Sequence, residues 1–202
     1  MDKKLKETIL NPILKGNPIT VLVLGICSAL AVTVQLKGAL VMALSVIAVC
    51  GLSSLVCSLL RNTIPNRVRI IIQLVVVAMM VILVDQVLKA FAYAIDKQLS
   101  VYIGLIITNC IVMGRIEAFA LGNKVWPSFL DGVANGVGYG LILIIVAFFR
   151  ELFGSGTLFG LPVLSSLGYV NNGLMILPPM ALILIGCIIW VHRSIDKSIQ
   201  EK

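Results

Sequence analysis

Charge is scarce in this sequence. Asp, Glu, Lys and Arg together make up 12% of its 202 residues, about half the share of an ordinary soluble domain. That shortage, beside an apolar content of 59%, excludes a freely dissolved globule and makes the bilayer the expected solvent. Histidine is reduced to His192, which closes the last apolar run, where a headgroup-level position is expected rather than a ligand role. Alternation of polar and apolar residues is nowhere sustained, which excludes a lipid-facing barrel. Basic residues outnumber acidic ones, 16 to 9, but they are scattered at the ends of apolar runs and form no aromatic-studded surface, so nucleic acid is not an expected partner. No small-residue cleavage site follows the basic start, and the N-terminus is expected to be retained.

What is there is a series of long apolar runs. Crossing a bilayer core of about 30 Å takes about 20 helical residues, and because lipid satisfies no backbone polar group, such runs are helices. Hydropathy places spans near 18–36, 38–60, 68–92, 99–120, 128–150 and 174–193. The fold class expected is therefore an all-α integral membrane protein of six transmembrane helices in one membrane domain, residues 1–202. With six spans the termini share a side, and 12 of the 16 basic residues fall on it. The positive-inside rule makes that side cytoplasmic. Leu5, Ile9 and Ile13 recur every four residues among lysines, as in a short amphipathic helix on an anionic membrane face or a solvated basic tail.

Three spans per half is an odd number, so related halves, approximately 1–95 and 96–202, must be an inverted-topology repeat. Two similarities support one. The second span of each half ends alike, in Leu59-Leu60-Arg61-Asn62 and Phe148-Phe149-Arg150-Glu151, and the first span of each half carries a cysteine near its middle, in Leu24-Gly25-Ile26-Cys27-Ser28 and Thr108-Asn109-Cys110. Gly25, Ser28, Thr108 and Asn109 disfavour a plain helix, so the first and fourth helices are expected to be broken near Cys27 and Cys110. Such opposed breaks meet near the midplane and expose amides to an anion. Inert burial is the plainer reading of the two cysteines on composition alone. If they bind metal, thiolates suit iron–sulfur or zinc, but a [2Fe–2S] cluster normally takes four thiolates, so the rest would come from another chain. Cys50, Cys57 and Cys187 read as packing residues. An odd intramembrane set of five cysteines does not suit a disulfide framework.

Acids within spans are functional candidates because burying charge in lipid is expensive. Asp85 lies deepest, while Asp131 and Glu117 are expected nearer the cytoplasmic interface as candidates for an ion path. Arg115 with Glu117, and Arg150 with Glu151, also read as interfacial anchors. Gly132, Gly136 and Gly140 form two overlapping GxxxG spacings for close helix approach; no GxGxxG spacing occurs there, so it is no nucleotide loop. Trp126 and Trp190 suit aromatic-belt positions. The glycine-rich stretch from Leu152 to Gly173 is expected to dip onto the membrane or a partner.

The segments Lys97 to Arg115 and Arg150 to Gly156, with Leu24 to Val32, Pro65 to Ile70 and Val84 to Ala90, resemble a known family over essentially the whole chain. It is the NqrDE/RnfAE family, the paired D and E membrane subunits of the sodium-translocating NADH:quinone oxidoreductase and their counterparts in the Rnf electron-transport complex. The Asp85 to Lys89 and Gly154 to Gly156 segments favour the sodium-translocating quinone reductase over the Rnf complex. The resemblance implies that Cys27 and Cys110 are iron ligands of an intramembrane [2Fe–2S] centre shared with the homologous E-type partner. It also implies a six-subunit complex, completed by the A, B, C and F components, in the bacterial inner membrane. In that family electrons pass from a cytoplasmic NADH-oxidising flavoprotein through this centre to flavins on the C and B components, and then to quinone. The flavin-attachment pattern Ser-Gly-Ala-Thr is missing, since Ser155-Gly156-Thr157 lacks the alanine, so neither flavin nor NADH is expected on this chain. Without the resemblance, an inverted-repeat ion conduit using the acids, or a scaffold packing through its glycines, fits the same sequence.

Overall fold

Apolar runs free of internal breakers become long helices in a computed structural model, which describes residues 16–65, 67–91, 104–158, 161–162 and 173–195. The elements, in chain order, are α1 (Ile26–Val32), α2 (Leu36–Leu60), α3 (Arg69–Phe91), α4 (Cys110–Arg115) running into a π-helical turn (Ile116–Ala120), α5 (Val125–Gly154), a two-residue antiparallel β pair (Thr157–Leu158 with Leu161–Pro162), a 3-10 turn (Gly173–Ile176) and α6 (Pro178–Ile195). Prolines fall where helices tolerate them. Pro127 is in the first turn of α5 and Pro178 opens α6, positions whose N–H has no helical acceptor anyway.

Among the described residues four helices, α2, α3, α5 and α6, are long and apolar enough to cross a membrane. They correspond to the spans expected near 38–60, 68–92, 128–150 and 174–193. The stretches expected as first and fourth spans form no continuous helix: α1 has seven residues and α4 six. The amphipathic stretch around Leu5, Ile9 and Ile13, and most of the loop after Leu152, lie outside the described residues.

Helices α2 and α5 form the centre. A Cβ added at Gly132 would sit 2.7 Å from the Cys50 carbonyl oxygen, one at Gly136 2.9 Å from Ile47 Cα, and one at Gly140 3.0 Å from Ala43 Cβ. As α5 ascends in number its partners on α2 descend, so the two helices are antiparallel along this seam. Lipid gives no hydrophobic drive for helices to associate, so close backbone approach over small residues carries the packing. Two serines of α2 cost little there, because Ser45 donates to Val41 O and Ser53 to Val49 O, which satisfies both hydroxyls within the helix. By contrast α6 turns most of its surface outward, with only 11% of its apolar window buried against 61% for α5. Trp126 and Trp190 are 77% and 72% exposed, as lipid-interface anchors are.

The seam predicts a mutational asymmetry. Gly136→Leu drives a side chain into the backbone of α2 and should destabilise the protein by about 3 kcal/mol. Gly186→Leu on α6, where nothing lies within 4 Å of the added Cβ, should change stability by less than about 0.5 kcal/mol. Thermal unfolding of the two variants in detergent checks this; equal midpoints would remove the close approach as the source of cohesion.

Candidate functional site

Two short helices begin at chain breaks, and each carries a cysteine in its first turn. Ahead of α1, Asn17 builds a turn: its Oδ1 accepts from the backbone N–H groups of Ile19 and Thr20, and its Nδ2 donates to Gly138 O on α5. The chain then passes through two left-handed residues, Val23 at φ 56° and Gly25 at φ 78°. Gly25 caps α1, and the position admits little else, because a Cβ there would meet Ile111 Cδ1 at 2.5 Å and Tyr139 Cε2 at 3.1 Å. Cys27 is the second residue of the helix that follows. On the other side a helical turn at 104–107 breaks at Thr108 and Asn109 before α4 starts with Cys110. Asn109 is the N-cap, its Oδ1 accepting from Ile111 N at 3.2 Å, the role for which short amide side chains are selected.

These breaks face one another. Asn109 Nδ2 donates to Ser28 Oγ at 3.4 Å, Ser28 Oγ lies 2.7 Å from Tyr139 Oη, and Ile111 packs onto bare Gly25. The direct bond between Asn109 and Ser28 joins the neighbour of one cysteine to the neighbour of the other. Gly25, Ser28, Asn109 and Tyr139 are buried, whereas Cys27 and Cys110 are exposed on this chain. The junction therefore presents two thiols outward from a fixed base. The other cysteines do not join it as a cluster: Cys50 and Cys57 are buried in α2 and Cys187 is exposed on α6. Among the described residues no group of three or more His, Cys, Asp or Glu side chains is placed to hold a metal. Two exposed thiols match half of a four-thiolate site in chemistry and number.

The acids are dispersed and paired. Asp131 is 3% exposed and accepts from Arg115 Nε at 2.9 Å and Nη2 at 2.5 Å, with Asn135 Nδ2 adding a bond at 3.2 Å. Arg115 thus pairs with Asp131, not with Glu117 as the sequence neighbourhood suggests, because the π-helical turn after Arg115 carries Glu117 toward Arg69 and Gln73 of α3. Asp85 is buried and bridges to Lys89 at 2.7 Å, one turn along α3. Sixteen residues of helix, about 24 Å, separate Asp85 from Arg69, so Asp85 and Glu117 stand at opposite ends of α3.

Arg150 and Glu151, read from the sequence as an anchor, are buried within the chain. Arg150 is 1% exposed; its Nη1 donates to Leu30 O and Thr33 Oγ1 at the end of α1, and its Nε and Nη2 donate to Met175 O and Ile176 O. Glu151 Oε2 accepts from Leu36 N at 2.5 Å and so satisfies an orphan N–H in the first turn of α2. Arg61, at the end of α2, donates to Asn123 O ahead of α5 at 2.8 Å. Arg61 thus reaches the joint in front of α5, and Arg150 the joint in front of α2.

A difference between these acids follows. Asp131→Ala strands the largely covered Arg115 guanidinium and should cost about 3 kcal/mol. Glu117→Gln, in a pair exposed to 39% on both sides, should cost less than about 1 kcal/mol. Unfolding midpoints of the two variants decide, and similar losses would contradict the burial argument.

A family model described as "Rnf-Nqr subunit, membrane protein" matches residues 5–189. The chain belongs to this family. It is 57% identical over 204 residues to the D subunit of the Na(+)-translocating NADH-quinone reductase of Aeromonas salmonicida, covering 98% of this chain and 97% of that protein. The D subunits of the same reductase from Haemophilus influenzae and Shewanella pealeana are 56% and 55% identical, over 98% and 95% of this chain and 97% and 93% of those proteins. Family membership and the four apolar helices make this Rnf-Nqr protein a multi-pass membrane protein.

Sequence reasoning named Ser28 and Asn109 only as helix breakers and passed over Tyr139, Asn17 and Gln73. A signal was available for Tyr139: a phenol in an apolar, glycine-lined helix needs a buried partner for its hydroxyl.

Proposed function

We propose that this chain is a membrane component of a sodium-pumping NADH:quinone oxidoreductase, in which Cys27 and Cys110 supply two of the four thiolates of an intramembrane [2Fe–2S] centre. The observation that carries the reading is the junction of two helix breaks, where the residues next to the two cysteines are hydrogen-bonded to each other and both thiols are left exposed. The remaining thiolates come from the homologous E-type partner, which with the A, B, C and F components completes the complex. When bound, such a cluster would supply one-electron transfer without rearranging bonds, and Cys27 and Cys110 would hold it on the relay of electrons across the membrane toward flavins and quinone.

The chain's own residues hold the ligands and keep water from behind them. Gly25 and Asn109 start the helices that aim the thiols, Ile111 seals the space between the starts, and Tyr139 closes the base. No flavin or NADH is held by this chain. The fold is six spans in two inverted repeats, approximately 1–95 and 96–202, with the first and fourth helices broken. The antiparallel α2 and α5 and the reciprocal reach of Arg61 and Arg150 support that reading, since a pseudo-two-fold axis in the membrane plane generates both. The protein sits in the bacterial inner membrane with both termini cytoplasmic. An ion conduit built on the acids is the weaker reading, because Asp85, Glu117 and Asp131 each already face a basic side chain.

Iron analysis and low-temperature EPR on the anaerobically purified complex test the proposal. Iron and a signal on reduction are expected, retained when Cys50 and Cys57 are replaced. A complex that reduces quinone without iron in this pair of membrane proteins overturns it.

A further inference from the structure

We propose that Tyr139 is a positioning residue for the two thiols, its hydroxyl locking the start of α1 to the start of α4 through Ser28. The inference rests on Cys27 and Cys110 being iron ligands, and it adds to that reading a residue on a third helix. Tyr139 is 0% exposed, midway along α5. Its ring edge lies 3.1 Å from where a Cβ on Gly25 would be, and its oxygen is 2.7 Å from Ser28 Oγ. Ser28 is the residue after Cys27, and its own proton goes to Gly25 O at 3.0 Å. A serine hydroxyl has one proton and two lone pairs, enough to bond Gly25 O, Tyr139 Oη and Asn109 Nδ2 together.

The serine is thereby saturated, and its three partners belong to three places: the cap of α1, the cap of α4 and the middle of α5. Asn109 precedes Cys110 directly. Removing the phenol hydroxyl leaves the ring and its packing but takes one of the three hydrogen-bond partners that orient Ser28 between the cysteines. The side-chain hydrogen bond that still joins the two helix starts is then the 3.4 Å one from Asn109, with Ile111 packed on Gly25 beside it. Groups that orient metal ligands without touching the metal typically change its affinity about 10- to 100-fold when lost, and they alter spectrum and potential, which a residue serving only helix packing does not.

The test uses the assembled complex with Tyr139→Phe, Ser28→Ala and the double variant. For Tyr139→Phe the cluster should still form, release iron to a chelator about tenfold faster, and show a displaced midpoint potential and broadened EPR lines. Ser28→Ala should do the same, and the double variant should add little to either, because the two groups act through one bond. Iron release, potential and EPR spectrum all unchanged in Tyr139→Phe, while Cys27→Ala has lost its iron, would overturn the positioning role and leave the ligand reading standing. Iron retained in Cys27→Ala and Cys110→Ala would overturn the ligand reading, and this inference with it. A Tyr139→Phe chain missing from the complex would also contradict the inference, since the hydroxyl would then serve the fold and not the thiols.

Discussion

Replacing Cys27 or Cys110 by alanine in the assembled complex is expected to abolish the iron–sulfur signal and reduce NADH-driven quinone reduction to background, with the protein still present in the membrane. The loss is complete and not graded because no substitute ligand stands nearby among the described residues. Cys50 is packed behind α5, where a Cβ at Gly132 would sit 2.7 Å from its carbonyl oxygen, and Cys57 is likewise buried in α2. Either would have to leave its buried place in α2 to reach the junction. The fold should survive, since both target side chains are exposed on this chain and the helix starts are held together by Ser28 and Asn109. Cys187→Ala, on the outward helix α6, should leave iron and activity at wild-type levels. Measured iron, EPR amplitude and quinone reduction in membranes with matched protein content decide the matter. Partial activity without iron would show that electrons take another route.

The largest loss of stability is expected at Arg150→Leu. This guanidinium gathers the carbonyl oxygens of Leu30, Met175 and Ile176 and the hydroxyl of Thr33. Those acceptors lie at the C-terminal side of α1 and in the 3-10 turn before α6, where helix ends leave carbonyls unpaired and the helix dipole is negative. A leucine satisfies none of them. The Thr33 hydroxyl is buried and the carbonyls are partly covered; each acceptor left without a partner costs about 1–3 kcal/mol, so a total on the order of 5 kcal/mol is expected, enough to deplete the protein from the complex. Arg150→Lys keeps the charge but loses the fork that spans both helix ends, and it should recover only part of the loss. Arg61→Leu, whose side chain is exposed and bonds to Asn123 O, should cost less than about 1 kcal/mol. Protein abundance in the membrane and thermal midpoints report all three, and similar midpoints for Arg61→Leu and Arg150→Leu would contradict the role given to the buried arginine.

Much of this architecture was legible because its causes are local. Apolar runs with few breakers read as α2, α3 and α6, and the Gly132, Gly136, Gly140 spacing announced the face that α5 lays on α2. The breaks at Gly25 and Asn109 were legible too, since a left-handed glycine and an asparagine cap are residue-level devices. Partner choice was not. Arg115 bonds Asp131 sixteen residues away and not Glu117 two residues away, and that outcome depends on how a π-helical turn rotates one side chain relative to the next. Arg150 was read as an anchor because its acceptors are mostly backbone oxygens, which leave no mark in a sequence. Ser28, Asn109 and Tyr139 were unreadable as a unit for a related reason: the amide and phenol that meet Ser28 come from other elements, 81 and 111 residues away.

The central claim is direct ligation by Cys27 and Cys110, and a conservative ligand exchange tests it most directly. Cys27→Ser and Cys110→Ser complexes, reduced anaerobically, are to be compared by EPR with the wild type. Oxygen in place of sulfur on one iron should displace the g-values and the midpoint potential in both variants wherever a cluster is retained, and otherwise remove the signal. A full-amplitude signal with wild-type g-values in either variant would show that the replaced cysteine is not a ligand.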